Sequence, residues 1–340
     1  MSSTGPDRAV LHAVKDAGPL PVAVVGAGPC GLAAAAAIEK IGIPAVVFDR
    51  GCVVSSIASY PSFITFFSTA EKIAIADVPF ALAGEKPTRR DALAYYRGVV
   101  NHLGLRVRQY EPVVHIRREG DGFLLHSKPR GSEIVSTHAR AVVLATGYFG
   151  TPNLLKVPGE ELPHVTHLYR EGHEAFQREA IVVGGGNSAA EAALDLYRHG
   201  ARVTLVHFGP TFDKNIKPWV LPDLENRMKD GSIAVRWNTR VTAIEPGRVH
   251  VEGPDGEGIL PGQHVYLMTG FTPDSELLRE LGVRIDDKTG IPKHDPSTME
   301  TNVKGVFLAG VLASGYDANK VFIENGRGHG AQIAAALAAG

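Results

Sequence analysis

The chain has 340 residues, 44% of them hydrophobic, and its 35 basic side chains stand against 36 acidic ones for a formal charge of −1. That balance excludes an electrostatic grip on nucleic acid or on an anionic membrane and leaves small molecules or another protein as expected partners. No apolar run approaches the roughly 20 residues that span a bilayer, and Met1 to Leu20 lacks a basic start and a continuous apolar core. With only Cys30 and Cys52 present, neither a disulfide scaffold nor a metal site is expected, and a cytoplasmic, reducing compartment fits. The length suits two domains, since single domains run to roughly 100–200 residues.

Residues up to Leu20 read as an arm with no assigned role. Val22 to Val25 form a short apolar run that ends in Gly26-Ala27-Gly28-Pro29-Cys30-Gly31 and opens into an alanine-rich stretch. A buried parallel strand followed by Gly-x-Gly-x-x-Gly and a helix is the form of a dinucleotide phosphate loop. Gly26 allows the tight turn, Gly28 the approach of a pyrophosphate and Gly31 the packing of helix on strand, while the helix start from Pro29 faces the phosphate charge. That helix should run from about Pro29 to Ile41 and stop at Gly42. A second strand over Ala45 to Phe48 then ends at Asp49, about 20 residues past the loop, where an acid accepts hydrogen bonds from an adenosine ribose.

Gly51 to Phe80 reads as a long loop carrying Tyr60, Phe63, Phe66 and Phe67, a candidate wall for a flat ring as well as ordinary core. Thr88 to His102 reads as a capped helix. Segments near Val113–Ile116, Phe123–His126 and Ile134–Ser136 suggest a small antiparallel insertion. Ala141 to Ala145 is a further buried strand running into Thr146-Gly147, and Gly150 to Pro163 has the Gly and Pro punctuation of a crossing between domains.

The opening unit recurs. Ile181-Val182-Val183-Gly184-Gly185-Gly186-Asn187-Ser188-Ala189 aligns with it without a gap, so that Gly26 matches Gly184, Gly28 matches Gly186, Gly31 matches Ala189 and Gly42 matches Gly200. One glycine fingerprint is a weak signal, whereas two in register point to two dinucleotides on one chain. Asp49 falls opposite His207, and Lys214 and Lys217 follow, so the second site lacks the acid that would repel a 2′-phosphate and favours NADPH over NADH. The expected set there is Gly184, Gly186, Asn187, Ser188, Ala189, His207, Lys214 and Lys217.

Past Pro218, a helix over Leu221–Lys229, strands near Ile233–Trp237 and Val241–Ile244, a hairpin at Pro254-Asp255-Gly256 and a strand at Val265–Met268 complete the second domain, and Gly270 to Pro273 resembles a crossing back. The nested division expected is residues 1–155 with 286–340 for an FAD-binding domain and 156–285 for an NAD(P)H-binding domain. The last helix can then point its positive end at the ring of a bound flavin.

At this point the chain resembles the low-molecular-weight thioredoxin reductase-like flavoproteins, and among them most closely the bacilliredoxin reductase, or bacillithiol disulfide reductase, family. The resembling motifs are the first glycine loop, Thr65-Phe66-Phe67-Ser68-Thr69-Ala70-Glu71-Lys72, Ala145 to Phe149, Val157 to Glu160, Gly186 to Glu191, Ile216 to Pro222 and Ile323-Glu324-Asn325-Gly326-Arg327. The resemblance implies an α/β fold of two Rossmann-like domains, the second inserted in the first. It also implies bound FAD, NADPH as donor, a low-molecular-weight disulfide or a small redoxin protein as acceptor, and a homodimer or homotetramer. The FAD residues carried over are Gly26, Gly28, Pro29, Cys30, Gly31, Asp49, Thr146, Gly147 and Gly310.

Two departures from the wider pattern matter. The chain has no Cys-x-x-Cys, so no internal dithiol relays electrons, and Gly310-Val311 stands where other members carry Gly-Asp. The resemblance makes Cys30 redox-active, whereas its position alone reads as a small filler, as Ser188 is in the second loop. The helix end lowers its pKa and a neighbouring pyrophosphate raises it. His329, before the last helix, either gives a proton near the flavin or caps a helix. The paired loops also allow a flavin monooxygenase, an NADPH reductase for ferredoxin or quinones, or a non-catalytic flavin redox sensor.

Overall fold

The structure is a computed structural model that describes residues 19–214 and 216–339, so the expected N-terminal arm lies almost wholly outside the described residues. The chain forms two units. Among the described residues, the first holds those up to Ala58, Thr65–Gly150 and those from Pro273 on; the second holds Ser59–Ile64 and those within Thr151–Thr272. The return crossing thus falls at Thr272/Pro273, inside the Gly270–Pro273 stretch read as a crossing back, and not at the 285/286 boundary of the expected division. The reason is a long-range contact: Glu280, in the short helix Glu276–Glu280, accepts the Ile116 amide at 3.1 Å and faces His115 at 3.2 Å, both on the first unit.

In chain order the elements that build the sites are β1 (Val22–Val25), α1 (Pro29–Lys40), β2 (Ala45–Phe48), α2 (Arg89–Leu103), β3 (Val107–Arg108) and β4 (Ala141–Leu144). The second unit adds β5 (Val165–Thr166), β6 (Glu179–Val183), α3 (Asn187–Arg198), β7 (Arg202–Val206), α4 (Leu221–Lys229), β8 (Ile233–Arg236) and β9 (His264–Leu267). The first unit resumes with β10 (Val306–Leu308) and α5 (His329–Ala339).

The first sheet has the order β10-β4-β1-β2-β3 and the second β5-β9-β6-β7-β8, every pairing parallel. Both therefore place the glycine-loop strand at the centre. Val22–Val25 pair with Ala45–Phe48 on one side and Ala141–Leu144 on the other, and all twelve side chains are buried. A strand covered on both faces must be apolar at consecutive positions, which is why these runs show no alternation. Burying each of Phe48, Leu144 and Ile181 stabilises its unit by about 1.5–3 kcal/mol.

Each sheet carries a three-stranded antiparallel insertion, Val113–Glu119, Gly122–Ser127 and Val135–Ala139 in the first unit and Arg240–Glu245, Gly247–Gly253 and Gly256–Gly262 in the second. Helix α2 starts at a capping box in which the Thr88 hydroxyl accepts the Asp91 amide and Asp91 accepts the Thr88 amide at 2.9 Å, a device worth about 1 kcal/mol. The last helix packs on α1 so closely that a Cβ on Gly330 would lie 2.8 Å from the Ala33 carbonyl oxygen.

The aromatic stretch is not one wall. It contains single helical turns at Ser55–Ala58 and Ala70–Ile73 and is shared between the units. Phe63 sits edge-on to Tyr169 and the Ser62 amide reaches the Arg170 carbonyl, all within the second unit, whereas Phe66 and Phe67 stay with the first.

Candidate functional site

The first glycine loop is held by backbone contacts that exclude larger residues. Gly26 has φ +114°, and a Cβ there would meet the Ala145 carbonyl oxygen at 2.2 Å. A Cβ on Gly31 would lie 2.0 Å from the Gly26 oxygen. At Gly28, by contrast, nothing lies within 4 Å, so the loop is open where a ligand has to approach. No side chain caps the start of α1, and its first N–H groups face outward without an intrahelical partner.

Asp49 latches this loop. Its carboxylate accepts the Ala27 amide at 2.7 Å, the Gly51 amide at 2.7 Å and the Ser55 hydroxyl at 3.2 Å. A carboxylate has about four lone-pair positions, so about one is left for a ribose hydroxyl. Beside the loop, the chain leaves β4 into Thr146, whose buried hydroxyl oxygen has no partner among the described residues, and into Gly147 at φ +78°.

Cys30 lies in the first turn of α1, with its sulfur against two glycines. A Cβ on Gly310 would be 3.1 Å from Sγ, and one on Gly326 would be 2.9 Å from it. Although Cys30 retains part of its surface, this enclosure desolvates the thiolate, and burial pushes the thiol up to about 12. Two of the resembling motifs meet around it. Arg327 donates to the carbonyls of Glu71, at 2.9 Å, and Ala74; Ser68 donates to Glu324, which also faces Lys72 at 3.9 Å. Thr65–Lys72 and Ile323–Arg327 thus hold each other and keep Gly326 over the sulfur. Cys52 is a second free cysteine.

His329 has a defined tautomer. Its Nδ1 accepts the Gly310 amide at 3.1 Å, so the ring proton is on Nε2. Burial, and secondarily the charge of His294, hold its pKa below the usual imidazole range. A neutral imidazole in this state offers an N–H hydrogen bond but has no spare proton to give. His329 is the first residue of α5 yet spends its acceptor on Gly310 and not on its own helix. It lines a cavity of about 450 Å³ with His294, Met299, Val321, Asn325 and Gln332.

The second loop repeats the first in construction. Gly184 has φ +146°, and a Cβ there would meet the Met268 carbonyl oxygen at 2.4 Å, as Gly26 meets that of Ala145. The repeat extends further than the glycines, because Ala145-Thr146-Gly147 and Met268-Thr269-Gly270 occupy the same place after β4 and β9. Comparing those two triplets would have extended the internal repeat in the sequence. Ala189 is accommodated where the first unit needs Gly31, and Ser188 is exposed.

The residues expected to bind NADPH divide here. Lys217 donates its amide to the Asn187 side chain at 3.1 Å, and Asn187 and Lys217 both act on Glu191, whose pKa burial raises. These three meet at the start of α3. His207 is 3% exposed, packed against Gly185 and Gly209, and its Nδ1 has no partner among the described residues. Lys214 is exposed. Asp213, which carries no motif, places a carboxylate oxygen 3.3 Å from where a Cβ on Gly186 would stand.

A family model described as pyridine nucleotide-disulphide oxidoreductase matches residues 23–310. The bacilliredoxin reductase Bdr of Bacillus subtilis (strain 168) is 43% identical over 317 residues, covering 93% of this chain and 96% of that one. The chain belongs to the bacilliredoxin reductase branch of the pyridine nucleotide-disulphide oxidoreductases. A solved bacillithiol disulfide reductase Bdr from Bacillus cereus superimposes with a TM-score of 0.91 at 41% identity, over 94% of this chain and 99% of that chain. The thioredoxin reductase of T. acidophilum shares the fold, with a TM-score of 0.69 at 21% identity over 94% and 98% of the two chains.

Membership of the bacilliredoxin reductase branch makes the chain an oxidoreductase, and the expected fold of two Rossmann-type α/β units is the one found. Among the described residues, no helix is long and apolar enough to cross a membrane. No group of three or more His, Cys, Asp or Glu residues among them could hold a metal ion.

Proposed function

We propose that the chain passes electrons from NADPH through bound FAD to a disulfide of the bacillithiol or bacilliredoxin type. The observation that carries this reading is the pair of glycine loops, built alike on the central strands of two parallel sheets within one chain. The relatives named above as bacilliredoxin and bacillithiol disulfide reductases supply the acceptor class.

The residues of the first unit fit FAD. The loop is open at Gly28, the start of α1 is uncapped, and the Thr146 hydroxyl is buried without a partner among the described residues. Gly26, Gly28, Pro29, the Cys30 amide and Gly31 would hold the pyrophosphate, Asp49 the ribose, and Thr146, Gly147 and Gly310 the remainder. Bound FAD would supply two-electron exchange between a hydride donor and a disulfide. In the second unit Gly184, Gly186, Asn187, Ser188 and Ala189 would frame the NADPH pyrophosphate.

In the net reaction NADPH gives up a hydride, the acceptor S–S bond breaks, and each sulfur ends with one proton, one from the hydride donor and one from solvent. His329 contributes a fixed Nε2–H donor and holds Gly310 beside Cys30; its tautomer argues against its being the acid. The disulfide is reduced either directly or through a mixed disulfide at Cys30. The second route needs the thiolate, which burial against Gly310 and Gly326 disfavours.

The test is anaerobic: NADPH should bleach the flavin, and bacillithiol disulfide or an oxidised bacilliredoxin should restore its colour. Reoxidation only by oxygen, ferredoxin or quinones would overturn the disulfide assignment, and failure of NADPH to bleach would overturn the enzyme reading. Turnover by Cys30→Ala at the parent rate would assign the direct route. The reading includes a cytoplasmic homodimer or homotetramer, checked by light scattering.

A further inference from the structure

In a nucleotide-binding unit of this build the adenosine ribose is met at the end of the second strand, and an acid there selects the free 2′-hydroxyl. In the second unit that place is the end of β7. His207 occupies it but is buried, its ring lodged between Gly185 and Gly209 and edge-on to Trp237 at 6.0 Å. The next residue turns outward. Phe208 is 61% exposed, a large apolar ring at the carboxyl edge of a parallel sheet.

That ring is not bare. The guanidinium of Arg240, the first residue of the strand Arg240–Glu245, lies over its face with Cζ 4.9 Å from the centroid. Among the described residues no carboxylate forms an ion pair with Arg240, although Glu252 is its cross-strand neighbour. The backbone around it is fixed, since the His207 amide donates to the Arg236 carbonyl and the Thr239 amide to the His207 carbonyl, both at 3.0 Å. A guanidinium without a carboxylate partner, held flat on an exposed aromatic ring, keeps its N–H edge free for a planar or tetrahedral anion.

We propose that Arg240, carried on Phe208, is the residue that recognises the 2′-phosphate and so sets the preference for NADPH over NADH. The proposal rests on the reading of the second loop as the NADPH site. It takes precedence over Lys217 as the determinant, because the Lys217 charge acts on Glu191. Arg240 lies 33 positions beyond His207, on a different strand, which is why the run after β7 does not reveal it.

The test measures binding to the holoenzyme by calorimetry, with adenosine 2′,5′-bisphosphate and 5′-AMP as probes. The parent protein should bind the bisphosphate about tenfold or more tightly than 5′-AMP, with a preference that shrinks as salt is raised. Arg240→Gln should abolish that preference and leave 5′-AMP within about twofold, while Arg240→Lys should restore part of it. In steady state Arg240→Gln should raise KM for NADPH, leave kcat unchanged and leave NADH alone. A bisphosphate preference that survives Arg240→Gln overturns the proposal and leaves the Arg–Phe stack as surface packing. Equal binding of both probes by the parent also overturns it while keeping the nucleotide site, and binding of neither removes the nucleotide site itself.

Discussion

Replacing Gly326 by Ala tests whether the Cys30 sulfur is enclosed as described. The added Cβ would stand 2.9 Å from Sγ, 3.1 Å from the Gly310 Cα and 3.1 Å from a methyl of Val321. Ordinary carbon contacts sit at about 3.5–4.0 Å, so something must move, and overpacking of this kind costs about 1–3 kcal/mol. Against it stands a helix-propensity gain of at most about 1 kcal/mol for Ala over Gly. Cys30→Ala removes the sulfur and leaves the other two contacts, so a double-mutant cycle isolates the Sγ clash and cancels the propensity. The coupling should be about 1 kcal/mol or more, with Gly326→Ala better tolerated in the Cys30→Ala background than in the parent. In scanning calorimetry that is a recovery of about 2–4 °C in the first unit's transition. Additivity within about 0.5 kcal/mol would refute the enclosure.

Two further outcomes follow from the same packing. His329 is held neutral in the fold, so above about pH 6.5 neither the folded nor the unfolded chain protonates it and stability is full. As pH falls through that value the unfolded chain takes up a proton that the folded chain refuses, and stability drops until the lower folded pKa is reached. The melting temperature of the parent should therefore fall more steeply below about pH 6.5 than that of His329→Asn, and parallel curves would remove the argument. Gly31→Ala places a Cβ 2.0 Å from a backbone oxygen and should cost about 3 kcal/mol or more and strip the flavin. Ala189→Gly should cost only about 1 kcal/mol, so equal effects at the two positions would contradict the loop geometry.

The repeat is legible in the sequence because a glycine forced by backbone contact leaves an unambiguous letter. Gly26 and Gly184 each face a carbonyl at the end of a neighbouring strand, and no other residue fits. The ends of β2, of α4 and of the capped helix α2 are readable for the same kind of local reason. What stays hidden is long-range. Nothing in Tyr60 to Phe63 says that it leaves the first unit for Tyr169, and nothing in the Asp49 neighbourhood says that Ala27 and Ser55 also claim its oxygens. The Gly270 to Pro273 punctuation marks the return crossing, whereas the expected division runs on to 285 because the pairing of Glu280 with a strand backbone more than 160 positions earlier carries no local signal. Arg240 escapes notice because its partner is an aromatic face, and aromatic faces carry no sequence spacing.

The enclosure of Cys30 has a consequence for how the chain is made. The thiol is among the first parts synthesised, but its walls, Gly310 and Gly326, belong to the last tenth of the sequence. Roughly 300 residues separate sulfur from cover, which at about 5–20 residues per second leaves it open for about 15–60 s on the ribosome. The inserted second unit can meanwhile fold on its own sheet, so the nascent chain presents a formed partner domain beside an unfinished one. Cys30 is thus more open to oxidants during its own synthesis than in the finished fold, where Gly310 and Gly326 cover it.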